Sequence, residues 1–84
     1  MTLDELKEKL YHHNVPERWY SLDDGLKDDA VVIYHNYGKW ECYYYERGVR
    51  SHEQEYTSAE DAYDYLWRMM ESELRTFNIP PRTV

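Results

Sequence analysis

The chain has 84 residues, enough for a single domain over residues 1–84, and its 17 acidic and 10 basic side chains give a formal net charge of −7. Because phosphate binding requires clustered Lys and Arg, this charge argues against direct contact with nucleic acid or an anionic membrane, and it favours a basic partner. The single cysteine excludes an internal disulfide, and the lack of an apolar signal segment or membrane span predicts a cytoplasmic protein.

The first predicted element is a helix over residues 3–12. Thr2 and Glu5 have the spacing of a capping box, in which each side chain accepts a backbone N–H of the other residue. Leu3, Leu6 and Leu10 follow at helical spacing, which predicts a narrow apolar stripe. The Asn-Val-Pro sequence of residues 14–16 ends the helix.

Residues 17–29 are the least regular part of the sequence, and residues 19–22 form either a short strand or the anchor of a loop. Two aspartate pairs lie here, at Asp23 and Asp24 and again at Asp28 and Asp29. A solvated acidic loop and a surface that binds a basic partner are both consistent with this pattern. The doubling of the pair favours binding, because charge complementarity steers association.

Three strands come next, joined by tight turns. Residues 31–34 are strong strand formers, and the Asn-Tyr-Gly-Lys sequence of residues 36–39 predicts a hairpin turn. Residues 40–47 form a second strand with clear alternation, and Gly48 permits another turn. Residues 49–57 form a third strand whose polar composition suits a sheet edge.

A second capping box, from Thr57 to Glu60, opens the longest predicted helix. Apolar residues at helical spacing from Ala59 to Phe77 form a continuous apolar stripe, residues 78–81 stop the helix, and the tail is expected to fray. We therefore predict an α+β fold with an N-terminal helix, an antiparallel meander of three or four strands and a long C-terminal helix. Both helices should cover one sheet face and leave the other open.

The alternation of the second strand separates its side chains into two sets. Trp and Cys are poor surface residues, so we assign the core face to Trp40, Cys42 and Tyr44. The outward face then carries tyrosines bracketed by charges, which is typical of a protein interface: Glu41, Tyr43, Tyr45 and Arg47. Alternation alone leaves the reverse arrangement open, with these tyrosines under a helix.

Residues that could perform catalysis are scattered along the chain. Cys42 lies in the middle of a strand, where nothing nearby would lower the pKa of its thiol. The four histidines lack the helical pairing of a zinc-binding segment, and the aspartates lie on a polar turn rather than in an apolar pocket. We expect no catalytic residue, no metal and no cofactor, so the chain is not predicted to be an enzyme.

Three runs of sequence carry a resemblance to a known family: WYSLDDGL from residue 19, KWECYYYERG from residue 39 and TSAEDA from residue 57. The pattern, which covers about residues 19–74, resembles small bacterial immunity proteins encoded beside polymorphic or contact-dependent toxins. The resemblance implies that the partner is the C-terminal domain of a cognate toxin. Many such toxins are nucleases with basic clefts, which an acidic, Tyr-bearing inhibitor would cover.

Other functions are compatible with parts of the sequence. An acidic mimic of nucleic acid would block a DNA- or RNA-binding protein, but interspersed basic residues weaken it. A small enzyme would use His35 or His52 with a carboxylate, and it would need a concave pocket. A weak homodimer, joined edge to edge through the polar third strand, is compatible with the immunity function.

Overall fold

The computed structural model describes residues 1–82 and has the predicted α+β architecture. Two helices enclose a run of four strands in chain order. The elements are α1 (Leu3–His12), a short 3-10 helix (Glu17–Trp19), β1 (Tyr20–Leu22), β2 (Ala30–Asn36), β3 (Lys39–Glu46), β4 (Val49–Tyr56) and α2 (Ala59–Thr76).

The four strands form one sheet in the order β1-β2-β3-β4. Strands β2, β3 and β4 make the predicted antiparallel meander, whereas β1 pairs with β2 in parallel, from Tyr20 beside Val31 to Leu22 beside Ile33. The sheet is therefore mixed. Parallel strands normally need a long crossover, but β1 has only three residues, so the loop of residues 23–29 is long enough to return the chain to the start of β2.

Both hairpin turns are short and have left-handed backbone conformations. Tyr37 and Gly38 have φ angles of 51° and 80°, and Arg47 and Gly48 have φ angles of 49° and 79°. Two successive positive φ angles are typical of the type I′ turns that match the twist of antiparallel strands. The assignment of Arg47 to the outward face of the second strand is therefore wrong, because the strand ends at Glu46 and Arg47 forms the turn.

The core lies between the sheet and both helices. Leu6 of α1, Ile33 and Cys42 of the sheet, and Leu66 and Met70 of α2 are at most 1% exposed and belong to one continuous apolar cluster. Ile33 and Cys42 are direct cross-strand partners, so they face the same side of the sheet. Both helices thus cover one face, as predicted, and the alternative with the Trp40 face exposed is wrong.

The two predicted capping boxes have different outcomes. In α1, the Glu5 N–H donates to Thr2 Oγ1 at 3.2 Å, and the Thr2 N–H donates to Glu5 Oε1 at 2.9 Å. In α2, the N-cap is Ser58, whose side chain makes no capping hydrogen bond. The second box is wrong because the helix begins one residue later than the Thr57–Glu60 spacing requires.

The C-terminal tail is fixed against α1 as far as residue 82. The Arg82 N–H donates to the His12 carbonyl at 2.7 Å, and Arg82 Nε donates to the Tyr11 carbonyl at 3.2 Å. The last carbonyls of a helix lack partners within it, so Arg82 supplies donors that they need. The expected fraying is wrong for this part of the tail, and residues 83–84 lie outside the described residues.

Candidate protein-binding surface

The fold separates the two aspartate pairs, although all four side chains are exposed. Asp23 directly follows β1, and its N–H donates to the Ile33 carbonyl at 2.8 Å. Asp29 directly precedes β2. At about 3.3 Å per strand residue, the four-residue step from Asp29 to Ile33 puts the pairs roughly 13 Å apart. The four aspartates do not form one patch, and the continuous acidic stripe of a nucleic-acid mimic is not present among them.

The pair at Asp23 and Asp24 has a local structural role. Asp23 Oδ1 accepts the His35 N–H at 3.1 Å, and the backbone of Asp23 has a φ of 58°, which Asp tolerates better than most residues. The pair lines a crevice of about 310 Å³ together with Trp40 and Lys7. Lys7 brings a positive charge to this crevice, and the Asp23 carboxylate already accepts the His35 N–H, so the crevice is less available to an external cation.

The outward face of β3 is only partly a surface. Tyr43 lies on the face predicted for it, away from the helices, but its side chain is 3% exposed, so the expectation of an exposed ring is wrong. The Arg50 guanidinium covers the ring at 4.3 Å from its centroid, and the Tyr45 ring lies edge-on at 6.4 Å. Tyr43 also pairs across the sheet with the buried Val32. The side chains of Arg50 and Tyr45 therefore cover the Tyr43 ring.

The remaining outward residues are mixed in exposure. Glu41 is half-buried, and its Oε2 accepts a hydrogen bond from Asn36 Nδ2 at 3.2 Å. Tyr45 is half-buried, while Tyr34, which the sequence did not single out, is 45% exposed on the same face. Arg47 is exposed in its turn. This face offers ring edges and charges, but without the fully exposed pair of tyrosines expected from the strand pattern.

A second crevice, here called the acidic crevice, lies where the start of β2 and the middle of β3 meet the second half of α2. It has a volume of about 330 Å³, many times the space that one water needs. Its apolar surface comes from Val31, three aromatic rings and two thioethers, the last five being those of Trp19, Tyr44, Met69, Met70 and Phe77. The Phe77 side chain is 61% exposed, and its ring lies 5.7 Å from that of Trp19.

Carboxylates from two elements line the acidic crevice. Asp28 and Asp29 come from the loop before β2, Glu73 comes from α2, and Arg18 is the one basic residue in the lining. The three ion pairs found within residues 1–82 involve none of these four side chains. The lining therefore has a net charge of −2 that no close partner in the described chain neutralises.

The negative charge of the crevice also affects the pKa of Tyr44, which lies in the lining. Burial raises the pKa of its phenol above the ordinary value, and the charges of Glu46, Asp29 and Glu73 raise it further. Burial penalises a charge of either sign, whereas the neighbouring carboxylates disfavour a negative charge and favour a positive one. The carboxylates of the lining, and not burial, therefore select a cationic group.

The sequence pointed to only part of this crevice. Asp28 and Asp29 were predicted contact residues, whereas Trp19, Phe77 and Glu73 were not. An aromatic residue at the very end of an amphipathic helix, as at Phe77, was the available signal, since a ring that outlasts the buried stripe tends to lie at the surface. Its position beside the loop of residues 23–29 depends on how α2 crosses the sheet.

The other chemically capable side chains lie apart from this crevice. Cys42 is fully buried, and burial raises the pKa of its thiol to about 12. His35 lies in β2 and stacks on Trp40, with ring centroids 4.1 Å apart. His52 lies in β4, which is not adjacent to β2 in the sheet, and its Nδ1 is 3.3 Å from the Ser51 hydroxyl. Within residues 1–82, no group of three or more His, Cys, Asp or Glu side chains is arranged to hold a metal ion.

Comparison with known proteins adds no relative. No protein-family model matches the chain, and no curated protein or solved structure is detectably similar to it. Neither helix of the described chain is sufficiently long and apolar to cross a bilayer. The resemblance to immunity proteins remains a prediction from the sequence pattern.

Proposed function

We propose that this protein is an immunity protein, which binds the C-terminal domain of a cognate bacterial toxin in the cytoplasm and neutralises it by contact. The toxin domain is cationic, as a nuclease with a basic cleft is. The protein performs no bond-making of its own. The acidic crevice, which combines three carboxylates outside any ion pair of residues 1–82 with two half-buried aromatic rings and the exposed ring of Phe77, is the observation that carries this proposal.

The composition of the crevice supports a protein partner. Interface centres combine aromatic anchors with polar rims, and the crevice has Trp19, Tyr44 and Phe77 inside a rim of carboxylates. A ring as exposed as Phe77 costs solvation free energy in the free protein and regains it when a partner covers the ring. Apolar contacts here would supply affinity, while the carboxylates would select a cationic surface.

The charge of the whole chain supports rapid association. A net charge of −7 attracts a basic domain over distances of about 10 Å, one Debye length at ordinary salt, and raises the association rate. Size is compatible as well. A standard interface buries about 800 Å² of each partner, which is about one seventh of the 5759 Å² surface of this protein.

The direct test uses the neighbouring reading frame. If a large secreted protein with a variable C-terminal domain is encoded beside this chain, that domain is purified as the candidate partner, and its affinity is measured by isothermal titration calorimetry at several salt concentrations. Co-expression then measures whether the chain protects cells from the domain. Tight binding without protection, or no binding, contradicts neutralisation.

Matched variants then test the crevice. Asp28→Asn with Asp29→Asn should weaken binding by about tenfold or more and flatten its salt dependence, since it removes two carboxylates that face the cation. Asp23→Asn with Asp24→Asn makes the same charge change at the other end of β2, and should weaken binding by about threefold at most, through long-range attraction alone. Asn tolerates the left-handed backbone of Asp23 and Asp29, so both variants should fold.

A further inference from the structure

We infer that the acidic crevice receives an arginine side chain of the partner, in preference to lysine. The inference deepens the proposed function and rests on it, because it names the group that the toxin domain would insert. It follows from the carboxylates and the planar aromatic rings that line the crevice, and from the contacts that the arginines and lysines of this protein make with aromatic rings.

The carboxylates that line the acidic crevice come from two elements of the fold. Asp28 and Asp29 belong to the loop before β2, and Glu73 belongs to α2. A guanidinium has five N–H donors in a flat fork, so one group can donate to more than one carboxylate at once. An ammonium is a compact charge that keeps its hydration, and it gains less from a site with separated acceptors.

The lining of the acidic crevice also includes planar, apolar side chains. The Trp19 and Phe77 rings lie 5.7 Å apart at an angle of 44°, and Tyr44 and Met69 contribute further apolar surface. A guanidinium stacks on aromatic faces while its edges remain free to hydrogen-bond, and it is more weakly hydrated than an ammonium. Entry into such a crevice therefore costs arginine less desolvation than it costs lysine.

The protein's own cation–aromatic contacts follow the same preference. The guanidinium carbons of Arg82 and Arg50 lie 4.1 and 4.3 Å from their ring centroids, whereas the Lys9 and Lys27 ammonium nitrogens lie 5.3 and 6.0 Å from theirs. The arginines approach the rings closely enough for stacking. The Lys27 ammonium lies farther from its ring and donates instead to the carbonyls of Glu17 and Tyr20, at 3.1 and 2.9 Å.

Removal of Arg18 should have the opposite effect on affinity to removal of the aspartates. Arg18 lines the crevice and takes part in none of the ion pairs of residues 1–82. Its positive charge would repel an entering arginine. Arg18→Gln should therefore tighten the binding of a guanidinium, whereas loss of the aspartates should weaken it.

The test uses the full chain with two probes, N-acetyl-arginine amide and N-acetyl-lysine amide. Titrations are followed by the NMR shifts of the Trp19 indole N–H and the Met69 methyl group. We expect saturable shifts with the arginine amide and binding several-fold weaker with the lysine amide. Asp28→Asn with Asp29→Asn should abolish the shifts, Asp23→Asn with Asp24→Asn should retain them, and Arg18→Gln should lower the dissociation constant for the arginine amide.

Equal responses to both amides, or shifts that survive loss of Asp28 and Asp29, would overturn the inference. Circular dichroism of each variant checks that the fold is intact, so a loss of shifts cannot be caused by unfolding. Failure of the proposed function is distinguishable. If the toxin domain binds tightly while the amides leave the crevice unchanged, the arginine inference fails alone; if the amide binds but the toxin domain does not, the proposed function fails.

Discussion

Replacement of Tyr43 by alanine is expected to reduce folding stability, and not partner affinity alone. The side chain is 3% exposed, so nearly all of it leaves water on folding. Burial of roughly 150 Å² at about 25 cal/mol per Å² contributes about 4 kcal/mol, an upper bound because the unfolded chain already buries part of the ring. We therefore expect the free energy of unfolding to fall by about 3 kcal/mol, the lower end of the cost of truncating a buried aromatic residue.

Urea denaturation followed by tryptophan fluorescence measures this loss. A domain of this size has a free energy of unfolding of roughly 4–13 kcal/mol, so the variant should retain roughly 1–10 kcal/mol, with a Tm lower by about 12 to 24 °C. Tyr43→Phe is the matched control. It keeps the ring under the Arg50 guanidinium and should cost less than about 1 kcal/mol.

The opposite result would refute the burial argument. If Tyr43→Ala keeps its stability within about 1 kcal/mol and weakens partner binding instead, the ring is a surface contact residue and the outward face of β3 is open. Tyr45→Ala separates the cases further. Because Tyr45 is half-buried, its loss should cost clearly less stability than the loss of Tyr43.

Three further predictions concern a phenol, a helix cap and a turn. Tyr65→Phe removes a 2.6 Å hydrogen bond from the phenol to a carbonyl of β4 and should cost about 1–2 kcal/mol. Burial raises the pKa of both Tyr65 and Cys42 to about 12, so the folded state keeps both groups neutral. Their contribution to the free energy of unfolding is fully present below the ordinary thiol pKa of 9.0 and should be lost as pH rises towards 12, less steeply in Tyr65→Phe. A free energy of unfolding that does not change with pH in urea titrations would contradict this. Thr2→Ala should lower the free energy of unfolding by about 1 kcal/mol, whereas Ser58→Ala, which removes no capping bond, should cost clearly less, and equal losses would show that the caps do not differ. Tyr37→Asn should raise Tm by a few degrees, because the exposed Tyr37 has a left-handed backbone that Asn adopts more readily, and an unchanged or lower Tm would mean that its ring contributes to the fold.

Some parts of the fold could be predicted because their signals are local. The capping box at Thr2, the glycine turns at Gly38 and Gly48 and the alternation of β3 each depend on residues a few positions apart. They correctly gave α1, both hairpins and the face of β3 that the helices cover. The errors at Arg47 and at the start of α2 are shifts of one or two residues, the scale at which local signals stop being informative.

The candidate site could be predicted only in part. Exposure of the aspartates followed from their polarity, but the separation of the two pairs depended on the direction in which β1 pairs. Burial of Tyr43 depended on Arg50 and Tyr45 closing over its ring, which alternation along one strand does not reveal. A strand pattern assigns a side chain to a face; it does not determine how much of that face the neighbours cover.

The amino-acid sequence by itself determined the helices, the meander, the turns and the acidic charge, because each follows from periodicity or composition within a short stretch. The tertiary structure alone decided that β1 joins in parallel, which separates the aspartate pairs, and that α2 brings Phe77 and Glu73 beside Trp19 and Asp29. The physical reason is that such juxtapositions depend on long-range packing around a shared core, where residues far apart in the chain compete for the same contacts.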